Sequence, residues 1–179
     1  MSSIILHYIN YYAIIIKMIK LGETMGKIKH VGSGKLDINI FDDNCRCVSI
    51  GYLDKTKVDF LKDKIPELKE VLKENDIMLW SDRIEYTDKH KGNFFNAEDY
   101  YSCLENIPII IKFPDYIGIN PTDSSLQFIK RYGRNILLAV RFTTNGKLSY
   151  RTLYPITDSQ LHDYIRKNRA WEYSIDNTE

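Results

Sequence analysis

The sequence contains little cysteine and proline, and neither sign of charge is in excess. Its 179 residues include three cysteines, five prolines and nine glycines, and 25 basic residues are balanced by 24 acidic ones. This balance excludes a histone-like or polybasic membrane protein, so any affinity for a polyanion must come from local clustering of cations. Hydrophobic residues make up 44% of the chain, which excludes wholesale disorder. We expect one domain with a short appendage.

The three cysteines do not form a recognisable disulfide or metal pattern. Cys45 and Cys47 are separated by one residue, a spacing that rarely forms a disulfide, and pairing either with Cys103 leaves a thiol over. A zinc site needs four suitably spaced ligands, which three cysteines and one stray histidine do not supply. We therefore expect reduced cysteines in a cytoplasmic protein, with no metal and no other cofactor.

The first residues are apolar and β-branched, but the run is short for a membrane span and is interrupted by polar side chains. No basic segment precedes it and no small-residue cleavage site follows, so we expect neither a secretory signal nor membrane association. The codons of Gly22 and Glu23 can form a ribosome-binding sequence, which would make Met25 the start. We interpret residues 1–26 as a hydrophobic leader; the alternative is a strand or helix packed on the domain.

Periodicity divides the rest of the chain into three parts. Alternating residues at 36–41 and a strand-like run at 47–50 predict a small β-hairpin extension over residues 27–54. Residues 55–170 are predicted to form the main domain and residues 171–179 a tail.

Within the main domain, helices are predicted before strands. Apolar residues three and four apart predict several helices around a short buried strand at residues 77–80. Strand-like runs follow at residues 126–132, 135–143 and 147–154, and Asn145-Gly146 joins the last two as a hairpin. A capping box that begins at Thr157 opens a terminal helix. This order predicts an α+β fold with segregated helices and strands.

Arginine is concentrated in the strand-rich end, where six of the eight arginines follow residue 130. Its planar guanidinium suits phosphate because it can donate to two oxygens at once. Burying the apolar positions of residues 136–142 requires Thr143 to pair with Lys147, and this register places Arg141 and Arg151 on one face. A strict two-residue turn would separate the two arginines. A merely solvated basic surface is the alternative.

Residues 107–154 resemble a known nuclease family. The segments IPIIIKFPDYIGINP, SLQFIKR, NILLAVRF and LSYRTLYPI are similar to the phage-encoded branch of the Barnase–EndoU–colicin–RelE superfamily. The similarity extends from about residue 76 to residue 167, and its most specific part is the pair of strands that carry Arg141 and Arg151. The resemblance implies N-terminal helices, then a curved antiparallel four-stranded sheet and a C-terminal helix.

The resemblance also implies a function. The domain would be a metal-independent endoribonuclease, a toxin or phage effector in the cytoplasm of a bacterial or phage-infected cell. The 2′-hydroxyl of RNA would attack the adjacent phosphorus and leave a 2′,3′-cyclic phosphate. Single-stranded or tRNA-like RNA is the expected partner, together with a neutralising antitoxin or immunity protein. The alternatives are a catalytically inactive RNA-binding or phage-associated interaction module on the same fold, and an enzyme on another phosphate-containing substrate.

The same family places a histidine, often followed by proline, after the helix that follows the first core strand. His90 holds this position without the proline and is the predicted proton carrier, since histidine titrates near neutrality. The alternative for His90 is a surface histidine. For Thr152 and Tyr154 the alternative is packing within the sheet, and for Lys130 it is a solvated strand edge. The predicted catalytic residues are His90, Arg141, Arg151 and Thr152, and the predicted substrate-binding residues are Lys89, Lys130 and Tyr154.

Overall fold

Short apolar runs build one mixed β-sheet. The computed structural model describes residues 29–32, 34–70, 72–143 and 147–174. The strands in these ranges are β1 (Lys29–His30), β2 (Cys47–Leu53), β3 (Asn75–Trp80), β4 (Tyr116–Ile119), β5 (Leu126–Arg131), β6 (Asn135–Phe142), β7 (Leu148–Ile156) and β8 (Ala170–Glu172). They pair in the order β1-β2-β3-β7-β6-β5-β4-β8. The β1–β2 and β3–β7 pairs are parallel, and the other neighbours are antiparallel.

Capped helices connect these strands in the described part of the chain. The α-helices are α1 (Lys55–Lys64), α2 (Asp82–Asp88), α3 (Ala97–Glu105), α4 (Ile107–Lys112) and α5 (Asp158–Arg166), and 3₁₀ turns lie at Ile38–Ile40, Pro66–Leu68 and Lys91–Asn93. Side-chain oxygens of Asp54, Asn96 and Thr157 accept backbone N–H bonds at the starts of α1, α3 and α5. Each bond satisfies a donor that the helix itself leaves unpaired. The predicted capping box at Thr157 is confirmed.

Two apolar layers lie on opposite faces of the sheet. The larger layer packs α1, α3 and α4 against one face of the central strands, through residues such as Leu61, Leu104 and Leu138. The smaller layer joins Leu137 and Ala139 of β6 to Leu161 of α5. Successive residues of β6 therefore contribute to different layers, as the side-chain alternation of a strand requires. The smaller layer leaves part of its face without a helix above it.

The β3–β7 contact determines where α2 lies. These strands pair only through Ile77–Leu148 and Met78–Ser149. β3 ends at Trp80, and α2 then follows and contacts β7. The buried Tyr150 hydroxyl bonds the Thr87 hydroxyl at 2.8 Å, and Tyr100 of α3 donates to Asp88 at 2.7 Å. The C-terminal end of α2 is thereby held against β7.

A β-bulge interrupts the β6–β7 ladder. Val140 pairs with Tyr150 and Ala139 pairs with Thr152, so that Arg151 has no partner across the strands. Near the turn, Thr143 N–H donates to the Lys147 carbonyl, which confirms the register predicted for this hairpin. The bulge itself carries no glycine or proline and was not predicted.

The predicted fold class is wrong. The expected arrangement was N-terminal helices followed by a curved antiparallel four-stranded sheet and a C-terminal helix, whereas the described chain forms a mixed sheet of eight strands with helices distributed between them. β4 lies between Pro114 and Pro121 and therefore resembles a turn segment in the sequence. The parallel β3–β7 pairing joins segments far apart in the chain, which no local pattern reveals.

The hairpin predicted within residues 27–54 is also wrong. Ile38–Ile40 forms a 3₁₀ turn, capped by the Asp37 carboxylate, rather than a strand. The partners of β2 are instead β1 and β3. Asp37 and Asn39 explain the difference, because short polar side chains bond nearby backbone and compete with strand pairing.

Several predictions concern residues that are not described. The leader at residues 1–26, the start at Met25, the Asn145-Gly146 turn and the last five residues of the predicted tail lie outside the described residues. Within the described ranges, the helices lack the length and apolar character needed to cross a membrane.

Candidate functional site

A cavity of about 270 Å³ opens on the sheet face that the smaller apolar layer leaves uncovered. Its floor is formed by side chains of β5, β6 and β7, including Gln127, Ala139 and Thr152. One wall comes from the end of α2 and the residues after it, and the other wall comes from the loop between β4 and β5. Three separate parts of the chain therefore meet here.

The bulge in β7 brings Arg151 and Thr152 to the same cavity. Strict alternation would send consecutive residues to opposite faces of the sheet, but an extra residue re-aims one side chain. Both residues line the cavity, and the Arg151 side chain is 39% exposed. The cavity thus gains a cation that is accessible from solvent.

Thr152 supplies a buried hydroxyl with an unused bonding capacity. Its Oγ1 atom has no hydrogen-bond partner among the described residues, although the side chain is almost fully buried. Leaving a buried polar group unsatisfied costs about 1–3 kcal/mol. An unsatisfied hydroxyl in the floor of a cavity is suited to donating to a bound oxygen.

In this structure, the Asp123 carboxylate is bound to the guanidinium of Arg151. Its Oδ2 atom forms an ion pair with Arg151 Nη1, while Oδ1 accepts hydrogen bonds from the backbone and hydroxyl of Ser125. The carboxylate therefore sits on the arginine where a phosphate group would bind.

Asp123→Asn should strengthen the binding of a fluorescently labelled ligand that carries a phosphate group. The amide keeps an oxygen for Ser125 but removes the negative charge that competes with phosphate for Arg151. We expect the Kd, measured by fluorescence anisotropy, to fall severalfold at low salt. Weaker binding would instead show that Asp123 orients the guanidinium for its ligand. Asp158→Asn, which changes an acid at the start of α5, is the charge control.

His90 lies on the opposite wall, just beyond α2. Its ring is tilted against Tyr154, with the ring centroids 5.4 Å apart. Burial, followed by the positive charge of Lys89, lowers the pKa of His90 below 6.5. This shift favours the neutral form of His90, which can accept a proton. Burial likewise raises the pKa of Tyr154 and keeps its hydroxyl protonated.

Lys89 acts on a second titratable group of the same wall. Its Nζ atom lies 3.3 Å from the Tyr86 ring centroid. The nearby Lys89 ammonium, followed by the charge of Arg151, lowers the pKa of Tyr86. Tyr86 is consequently a stronger acid than an ordinary tyrosine. It lies one helical turn before His90, so both side chains reach the cavity.

The structure brings five of the seven predicted site residues together and leaves two outside. His90, Arg151, Thr152, Lys89 and Tyr154 line the cavity. The roles assigned to them remain predictions.

The other two predicted residues lie elsewhere. Arg141 pairs with Ser149, on the same face as the cavity but exposed and beyond its lining. Lys130 lies on the other face of β5, where its Nζ atom forms a 2.8 Å ion pair with Asp115. Arg141 therefore lies on the predicted face of the sheet, but only Arg151 of the two arginines lines the cavity. Lys130 is not near the cavity.

Sequence analysis missed Tyr86 and Asp123. Tyr86 precedes His90 by four residues, a helical spacing that would have identified it once α2 was predicted. Asp123 lies in the segment NPTDSS, which resembles an ordinary turn and contains no signal of function. Among the described residues, no three His, Cys, Asp or Glu side chains cluster closely enough to bind a metal ion together.

Comparison with known proteins identifies the domain. The sequence profile of the family described as phage-Barnase-EndoU-ColicinE5/D-RelE like nuclease 3 matches residues 55–163, more than half of the chain. No curated protein and no solved structure gives a significant match. The matched range contains both walls and the floor of the cavity. The resemblance predicted from the sequence is confirmed: the chain belongs to the phage Barnase–EndoU–colicin E5/D–RelE-like nuclease 3 family.

Proposed function

We propose that this nuclease is an endoribonuclease that needs no metal ion for its chemistry. The observation that supports the proposal is the meeting of a proton acceptor, a cation and an unsatisfied hydroxyl, contributed by His90, Arg151 and Thr152, around one cavity. Cleavage by the neighbouring 2′-hydroxyl requires a proton acceptor near O2′, a proton donor near the departing O5′, and donors of positive charge or hydrogen bonds to the phosphoryl oxygens.

In the proposed reaction, His90 takes the proton of the 2′-hydroxyl. The O2′–P bond forms while the P–O5′ bond breaks, leaving a 2′,3′-cyclic phosphate on one product. Tyr86 gives its proton to the departing O5′, which becomes a free hydroxyl. Proton exchange with water then returns His90 and Tyr86 to their starting states.

Arg151 and Thr152 stabilise the phosphorus centre. The guanidinium donates to the non-bridging oxygens, on which negative charge accumulates as the fifth bond forms. The Thr152 hydroxyl donates to the same group and thereby gains the partner that it otherwise lacks. Asp123 has to release Arg151 when the phosphate binds, and Lys89 keeps the entrance positively charged.

Phage-family membership supports a biological role as a toxin or phage effector that acts on cellular RNA. Such an enzyme would need a neutralising antitoxin or immunity protein in any cell that makes it. The open face of the cavity is where a neutralising protein would block access most directly.

The test is cleavage of an end-labelled single-stranded RNA in the presence of EDTA. We expect products with 2′,3′-cyclic phosphate and 5′-hydroxyl ends. Tight, salt-sensitive binding without cleavage would instead assign the domain to RNA binding alone. Products with other ends, or activity lost on chelation and restored by a divalent metal, would contradict the mechanism.

The pH dependence should report the state of His90. Because the neutral form accepts the proton, kcat/KM should fall about tenfold per pH unit below the pKa of His90, which burial and Lys89 hold below 6.5. Lys89→Met removes one cause of the shift and should move this acid limb to higher pH. Lys91→Met, on the other side of His90, should leave the limb in place. An unchanged limb in Lys89→Met would contradict the assigned effect of Lys89 on the pKa of the titrating group.

A further inference from the structure

The chain places an unusually exposed aromatic ring beyond the His90 wall. Phe95 has 81% of its surface exposed, more than any other large hydrophobic residue among those described. Tyr101 is also exposed, on the neighbouring helix α3. Single exposed apolar residues are common on protein surfaces. The contacts of these two rings distinguish them from ordinary surface residues.

Both rings are held in place by cations. The Arg134 guanidinium lies 4.3 Å from the Phe95 ring centroid, and Lys91 Nζ lies 4.6 Å from that of Tyr101. Asp99 fixes the first pair, because its carboxylate binds Arg134 and accepts the Phe95 backbone N–H at 3.0 Å. The Tyr101 hydroxyl is 3.1 Å from Lys91 Nζ. Polar contacts thus hold both rings, and the Phe95 ring is held while it stays largely exposed.

The chain connects these rings to the cavity over a short distance. Lys91 directly follows His90, and the turn Lys91–Asn93 packs against β7 beside the cavity. Phe95 is five residues beyond His90, so the Cα atoms of these two residues are at most about 17 Å apart. An RNA strand bound in the cavity can extend over this distance to Phe95 by a few nucleotides.

The chemistry of the patch matches unpaired bases. An exposed ring offers a face on which any base can stack, and an adjacent cation adds attraction for the base and the phosphate beside it. Continuity with a phosphate-binding cavity favours nucleic acid over a protein partner. We propose that Phe95 and Tyr101, with Arg134 and Lys91, form a stacking subsite for unpaired nucleotides adjacent to the cleaved one. This inference rests on the proposed ribonuclease function.

Binding of a single-stranded 2′-O-methyl oligonucleotide of ten mixed nucleotides tests the subsite, since its blocked 2′-oxygens cannot attack phosphorus. Phe95→Ala and Tyr101→Ala should each weaken binding about 5- to 100-fold. Phe95→Trp should retain it. Phe113→Ala is the matched control: Phe113 is also exposed and has Lys112 Nζ 4.9 Å from its ring centroid, but it borders a different cavity. The Kd of Phe113→Ala for the oligonucleotide should remain within twofold of the Kd of the original protein.

The outcomes separate this inference from the proposed function. If the protein cleaves RNA but Phe95→Ala and Tyr101→Ala bind the oligonucleotide normally, the subsite is wrong and the function stands. If the protein does not cleave RNA but binds the oligonucleotide through these rings, the function is wrong and the subsite stands. Equal losses for the oligonucleotide and its fully paired duplex would contradict base stacking, because paired bases are not available to the rings.

Discussion

Arg151→Ala should reduce the rate of RNA cleavage by about 10²–10³-fold, the usual loss when one donor to a developing anion is removed. The side chain is partly exposed and belongs to neither apolar layer, so the variant should fold. Arg151→Lys should recover only part of the activity, because an ammonium group cannot donate to two phosphate oxygens in parallel. The measurement is kcat/KM on a labelled RNA, with circular dichroism to confirm folding.

Two other arginines make this experiment specific. Arg166→Ala removes an exposed arginine of α5 that pairs with Asp163, and it should cleave at the original rate. Arg141→Ala tests the remaining arginine predicted from the sequence, which shares the face of the sheet but does not line the cavity. We expect a loss smaller than that of Arg151→Ala. A larger loss of kcat/KM for Arg141→Ala would indicate that the phosphate binds at Arg141 and not at the bulge.

Gly118→Ala should lower the free energy of unfolding by about 1–3 kcal/mol, the usual cost of inserting a methyl group where there is no space. A Cβ at this position would overlap the Arg169 carbonyl oxygen and come within 2.9 Å of the Ala170 Cα atom. These are backbone atoms, so β4 and β8 would have to separate. Urea unfolding measures the loss, and hydrogen exchange should show early opening of β8.

Gly34→Ala is the control for that substitution. A Cβ there meets no atom within 4 Å, and the residue does not have a positive φ. We expect equal or slightly greater stability, because alanine restricts the unfolded chain more than glycine does. If both variants unfold at the same urea concentration, the close approach of β4 and β8 does not contribute to stability.

Local patterns predicted much of the site but little of the sheet that holds it. The register of β6 and β7 followed from burying alternate apolar residues, and the position of His90 followed from the family resemblance. The register depends on a signal within a few residues of the chain, whereas the position of His90 depends on a similarity that extends over about residues 76–167. Arg151 and Thr152 both face the cavity because of the bulge. Neither residue has a conformational propensity from which a bulge could be predicted.

The global arrangement depended on contacts between distant segments. The four-residue strand β4 lies between two prolines, and its identity as a strand comes from pairing with β5 and β8. The parallel contact of β3 with β7 contributes to the mixed sheet and brings α2 beside β7. Asp123 illustrates the same limit at the site, since only the folded chain shows that its carboxylate binds Arg151.

The β3–β7 contact also bears on the order in which the cavity is completed during synthesis. His90 emerges from the ribosome well before Arg151 and Thr152, which belong to the late strand β7. A translation product that stops before β7 contains both walls of the cavity but lacks Arg151 and Thr152. The cavity is therefore complete only after β7 has paired with β3 and β6.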